Sequence, residues 1–203
     1  MDRRFPLRSW AFLLMVAFPL GAVAQQISQQ ATRTTDQKIA DALSAAPSSV
    51  SSNATVMDWP MTTGGPMQQL RAGSNGWVCY PTTPIVYANG ARRDAMCVDP
   101  EFQGWANAWM GKTAPTTKRA AVAYMLQGDA GASNIDPYAT GPTSDNDWVM
   151  TGPHVMVIVP DPSSLDGMPT DAKSGGPWVM WKGTSYAHIM VPLPQEQGMH
   201  RDR

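Results

Sequence analysis

The chain has 203 residues, with 15 basic and 16 acidic side chains, two cysteines, 14 methionines and eight tryptophans. That length suits one domain with a sizeable core. The near-neutral charge, with no basic block, argues against nucleic acid or an anionic membrane surface as a partner.

The first 24 residues divide into three zones. Arg3, Arg4 and Arg8 give a positive start, Trp10 to Leu20 is an uncharged apolar run, and Ala22-Val23-Ala24 ends in small residues. This is the pattern of a secretory signal cleaved before Gln25. A run of 11 residues rises only about 17 Å as a helix, too little for a bilayer core of roughly 30 Å. No later apolar run is long enough to span, so no membrane span is expected in the mature chain. The signal would carry away three arginines and one aspartate, leaving 12 basic and 15 acidic residues. The expected location is the periplasm or the extracellular medium. Cys79 and Cys97 then most simply form a disulfide, since redox pairs sit closer together and zinc needs more ligands.

Residues 25–35 are polar and predict a mobile leader, and 36–193 a single α+β domain, followed by a polar tail at 194–203. Thr34 and Gln37 have capping-box spacing, and Ile39, Ala42, Leu43 and Ala46 recur at helical intervals up to Pro47. Residues 48–53 predict a loop, and Thr55 to Trp59 a strand. Met67–Arg71 and Trp77–Tyr80 flank Ala-Gly-Ser-Asn-Gly and predict a hairpin turning at Asn75-Gly76. Residues 81–98 predict an irregular excursion tied down by the disulfide.

Asp99 as N-cap, Pro100 as first residue, the apolar stripe Phe102, Trp105, Ala106, Trp109 and Met110, and Gly111 as stop predict a second helix. Ala121–Leu126 predicts a buried strand, and 127–147 a polar loop longer than most connections. Two more strands, Pro153–Val159 and Tyr186–Val191, are apolar on both faces, as central strands are. The expected fold is an antiparallel sheet of about five to seven strands. Two short helices would lie on one side of it, with long loops and one disulfide.

The segments Leu70-Arg-Ala-Gly-Ser-Asn-Gly-Trp77-Val-Cys79, Met96-Cys97-Val-Asp99, Tyr124-Met-Leu-Gln-Gly128, Ser133-Asn-Ile-Asp136-Pro137, Gly152-Pro-His154-Val-Met156 and His188-Ile-Met190-Val-Pro192, with Asp58-Trp59, resemble a family of uncharacterised secreted bacterial proteins. The resemblance runs from about residue 40 to 193. It implies export and a single domain, and no activity or site residue.

The chemistry concentrates in a quasi-repeat. Trp148-Val-Met150 precedes His154-Val-Met156, and Trp178-Val-Met180 precedes His188-Ile-Met190. On a strand, His-x-Met puts imidazole and thioether on one face. If the strands pair in register, His154, Met156, His188 and Met190 converge, a donor set suited to copper, with thioethers favouring Cu(I). The same histidines could instead line a small-ligand or catalytic pocket, or be buried structural groups satisfied by one carbonyl each. His200 lies in the polar tail. Asp129, Asp136, Asp145 and Asp147 in the long loop, with Asp58, offer carboxylates for a sugar, Ca²⁺ or acid–base work, but match no standard calcium loop. There is no Gly-x-Ser-x-Gly elbow and no nucleotide-binding glycine loop. The expected role is binding or support, with copper as candidate cofactor. The alternative is an extracytoplasmic hydrolase using a histidine with a loop aspartate.

Overall fold

The computed structural model describes residues 33–60, 65–84 and 94–194. The expected signal peptide, most of the expected leader, nearly all of the tail and His200 lie outside the described residues.

Helix α1 (Thr35–Leu43) starts at the expected capping box, with the Thr34 hydroxyl accepting from the Gln37 N–H and the Gln37 side chain from the Thr34 N–H. It stops before Ala46, and Pro47 begins a second short helix, α2 (Ser48–Ser51), where a loop was expected. Helix α3 (Pro100–Met110) has its expected limits. The Asp99 carboxylate accepts from the N–H groups of Glu101 and Phe102, both at 2.8 Å. Gly111 itself stays right-handed, and the left-handed residue that ends the helix is Lys112.

The strands are β1 (Thr55–Asp58), β2 (Gln68–Arg71), β3 (Val78–Tyr80), β4 (Met96–Val98), β5 (Ala121–Met125), β6 (Ala132–Ser133), β7 (Trp148–Val149), β8 (His154–Ile158), β9 (Trp178–Met180) and β10 (His188–Pro192). Eight form one sheet in the order β2-β1-β3-β4-β5-β8-β10-β9, antiparallel except for the β1–β3 pair. β6 and β7 make a separate two-stranded sheet. The strand number exceeds the expected range because β4, inside the supposed excursion, and β9 both join the main sheet.

The expected hairpin between residues 67–71 and 77–80 does not form. β1 lies between the two arms, antiparallel to β2 and parallel to β3. The Ala-Gly-Ser-Asn-Gly segment crosses the start of β1 instead of turning tightly. Ser74 N–H donates to the Asn53 carbonyl at 2.8 Å, and Asn75 Nδ2 donates to the Val50 carbonyl at 2.7 Å. A Cβ on Gly73 would sit 2.2 Å from the Thr55 nitrogen, so only glycine permits this crossing.

The helices lie on opposite faces of the sheet, not on one. α1 covers the face that carries Val56, Cys79 and Cys97, with Ala42, Ala45, Ala46 and Ala54 making a close-packed layer. Cys79 and Cys97 stand directly opposite each other on β3 and β4 and are bonded, as expected. α3 covers the other face. Its Phe102 and Trp105 pack with Val98, Ala123, Ile158, Trp178 and Met190. A 3₁₀ turn (Pro162–Leu165) seals the far end by placing Leu165 against Val179 and Ala187. Among the described residues no helix is long and apolar enough to cross a membrane.

Candidate functional site

The α3 side of the sheet is not filled. Between α3, the strands and the long loop lies a cavity of about 280 Å³, lined by His154, His188, five methionines and several tryptophans. Strand register explains how those residues meet. β8 and β10 pair antiparallel with Met156 opposite Met190 and His154 opposite Pro192. Residues opposite one another, and residues two apart on a strand, share a face. His154, Met156, His188 and Met190 therefore stand on one face, and all four line the cavity.

The register also separates the two histidines. Continued by one pair, it sets His188 opposite Ile158, four positions from His154, roughly 13 Å along the strand direction. The Met156–Met190 pair stands between them. Each histidine has a further methionine on its other neighbouring strand, Met125 opposite His154 and Met180 opposite His188. Met96 follows in the row beyond Met125 and also lines the cavity. Met125 and Met96 were not among the candidate residues, and Met180 entered only as part of the quasi-repeat, because neighbours across strands depend on a register that local sequence does not disclose.

Both imidazoles are buried and bonded alike. His154 Nδ1 lies 2.8 Å from the carbonyl of Gly152, and His188 Nδ1 lies 3.0 Å from that of Tyr186, each two residues back. A carbonyl can only accept, so Nδ1 carries the proton and Nε2 keeps its lone pair. Neither Nε2 has a hydrogen-bond partner among the described residues. Each Nε2 is buried, and both histidines belong to the cavity lining. Burial pushes the His188 imidazole down to about 4, outweighing the opposing pull of the Tyr186 carbonyl, and His154 adds to the lowering. His154 is lowered as well, by burial first, with the Gly152 bond and Asp129 resisting. Both rings are therefore neutral at neutral pH, in the protonation state a metal ligand requires.

The two ends of the cavity have different surroundings. Around His188 the neighbours are aromatic. Trp105 and Trp181 meet its ring edge-on at 5.5 and 5.0 Å between centroids, and the two indoles stack on each other at 6.1 Å. Trp109 stacks on Trp181, and Tyr138 on Trp109. Trp181 has φ +57°, a left-handed conformation that costs a bulky residue on the order of 1–3 kcal/mol. The long loop holds it there. Trp181 N–H donates to the Asn134 carbonyl and its indole N–H to the Ser133 carbonyl. Asn134 in turn accepts from the Trp178 indole and donates to Asp147 and to the Thr170 carbonyl. Segment 127–147 is thus the frame of an aromatic wall, with Asp129, Ser133 and Asn134 buried.

Around His154 the neighbours include carboxylates. Asp129 Oδ2 is 4.0 Å from His154 Nε2, while its Oδ1 accepts from the N–H groups of Thr151 and Gly131. Burial raises Asp129 despite those bonds. Asp94, which the sequence analysis passed over, lines the same end and is pushed up to about 6, chiefly by burial.

The other aspartates of the sequence set disperse. Asp58 pairs with Lys38 at 2.6 Å on β1, Asp145 and Asp147 do not line the cavity, and Asp136 reaches only its rim as an exposed residue. The quasi-repeat also divides in space. Met180 is buried in the main sheet, whereas Met150 follows the small sheet and is exposed. Among the described residues no three His, Cys, Asp or Glu side chains form a metal-binding group, so a metal here would need thioethers beside the imidazoles. Comparison with family models, with curated proteins and with solved structures finds no match.

Proposed function

We propose that the protein is an exported binding protein whose cavity takes Cu(I). The observation that carries this reading is the pair of buried imidazoles, each with Nδ1–H tied to a backbone carbonyl and Nε2 left without a hydrogen-bond partner, in a cavity lined by five methionines. A ring nitrogen donated to a carbonyl is how proteins orient a metal-binding histidine, because it fixes the tautomer and strengthens the opposite lone pair. Neutral thioether and imidazole donors in an apolar cavity suit a soft monovalent ion. The tryptophan faces favour a cation nearby. Export, a periplasmic or extracellular location, and membership of the uncharacterised secreted family belong to the same proposal, and the buried disulfide is consistent with an oxidising compartment.

The test is a competition titration of Cu(I) between the protein and a chromogenic chelator, with a His154→Ala, His188→Ala double variant beside it. Wild type should withdraw the ion and the double variant should not, while remaining folded. Wild type that fails to compete, with a variant that merely melts earlier, would make these histidines architectural.

One observation favours a second reading, a hydrolase with His154 as base. Asp129 lies 4.0 Å from its Nε2 at the cavity wall. In that case Asp129→Asn should abolish a hydrolytic activity towards envelope substrates without altering Cu(I) uptake.

A further inference from the structure

The Cu(I) reading leaves open how many ions the cavity holds. Resting on that reading, we propose that it holds two, one at each end, each bound by one imidazole and two thioethers. His188, Met180 and Met190 form one set; His154, Met125 and Met156 form the other.

The sheet register is the first reason. It sets the two imidazoles four positions apart on neighbouring strands, with a methionine pair between them. Each histidine does have two methionines in its own vicinity. Met180 stands directly opposite His188 and Met190 two residues along from it on the same face. Met125 stands directly opposite His154 and Met156 two residues along. Directly opposed Cβ atoms are about 5 Å apart and same-face neighbours about 7 Å. Unbranched thioethers with three rotatable bonds span such distances onto one point.

The second reason is that both ends carry the same unmet demand. Each Nε2 is buried and unpartnered, and each ring is anchored through Nδ1 to the carbonyl two residues earlier. One ion would satisfy one of them and leave the other unpaired.

The surroundings make the two positions unequal. A cation beside His154 has the Asp129 carboxyl group within reach, 4.0 Å from Nε2, and would draw it into its ionised form, with Asp94 at the same end of the cavity. A cation beside His188 has no carboxylate on its own ladder row and sits instead against Trp105 and Trp181. The His154 position should therefore fill first, and the His188 position should be the one that alters indole emission.

The experiment is an anaerobic titration of disulfide-bonded protein with Cu(I) against a graded chelator, read for stoichiometry and for tryptophan fluorescence. Wild type should bind two equivalents, with the larger fluorescence quench on the second. Met180→Leu with Met190→Leu should leave one equivalent and remove most of the quench. Met125→Leu with Met156→Leu should leave one equivalent and keep it. Leucine conserves volume at these positions, so the variants are expected to fold, and thermal melts check that. One equivalent in wild type overturns the two-ion proposal and leaves the Cu(I) reading standing, and the wild-type count decides this even if a variant fails to fold. Two equivalents retained in both methionine variants overturns the assigned ligands. No binding at all overturns the Cu(I) reading and this proposal with it.

Discussion

The two faces of the sheet are built on opposite principles. The α1 face is closed by small side chains, Ala42, Ala45, Ala46 and Ala54, pressed on a disulfide, and it leaves no polar side-chain atom unpaired among the described residues. The α3 face is built from long and wide ones, Trp105, Trp181, Met156, Met180 and Met190. It leaves a cavity and two unpaired imidazole nitrogens. Small side chains let α1 approach the sheet closely, whereas the wide side chains of the other face hold α3 and the long loop away from the strands around a cavity. One face is closed, and the other carries the candidate site.

The largest break in this comparison comes from the disulfide. Cys79→Ala with Cys97→Ala opens a loop of 17 residues between bonded positions. It should cost about 3 kcal/mol in chemical denaturation, with Cu(I) stoichiometry unchanged at temperatures where the variant is folded. Loss of binding in the folded variant would show that the two faces are not separable.

A second effect, of similar size but partly hidden, is the pH dependence of stability. The His188 imidazole lies below its ordinary 6.5, at about 4, in the folded state. The unfolded chain binds the extra proton between those values, so this histidine's contribution is complete above pH 6.5. It is lost as pH falls through 4, by about 3 kcal/mol in all. Asp94 has the opposite sign. Its carboxyl is raised from 3.8 to about 6, so its contribution is complete below pH 3.8 and is lost as pH rises through 6. The two nearly cancel between pH 4 and 6. Asp94→Asn should remove the compensation, and urea midpoints of that variant should fall more steeply with acidification than those of wild type. Parallel pH profiles would show that these groups do not titrate as their burial demands.

The smallest expected change is the most telling for the site. His188→Leu removes an unpaired nitrogen and keeps the bulk, but it also takes the donor from the Tyr186 carbonyl, so the melting temperature should fall by only a few degrees while Cu(I) uptake drops. A melting temperature lowered by many degrees would identify His188 as a structural group.

Much of this was legible in the sequence. Asp99, Pro100 and the Trp105–Trp109 stripe placed α3 because capping and helical period are local properties. The spacing His-x-Met placed each imidazole with a thioether because strand parity is local too. What stayed hidden was long-range. Asn75-Gly76 carries hairpin chemistry, yet Asn75 uses its side chain to bond Val50 and Trp77, and β1 enters between the arms. Met125 joins His154 only through pairing with a strand far away in the chain, and Met180 meets His188 across two consecutive strands whose register the motifs leave open. The separation of His154 from His188 comes from a register offset that neither motif contains.

The most direct measurement of Cu(I) binding in the cavity is copper K-edge X-ray absorption on protein loaded with Cu(I) and desalted. Copper should stay with the protein and show a low-coordinate first shell of imidazole nitrogen and thioether sulfur, with sulfur outnumbering nitrogen. A shell of nitrogen and oxygen alone, or a protein that emerges free of copper, would contradict the imidazole–thioether site.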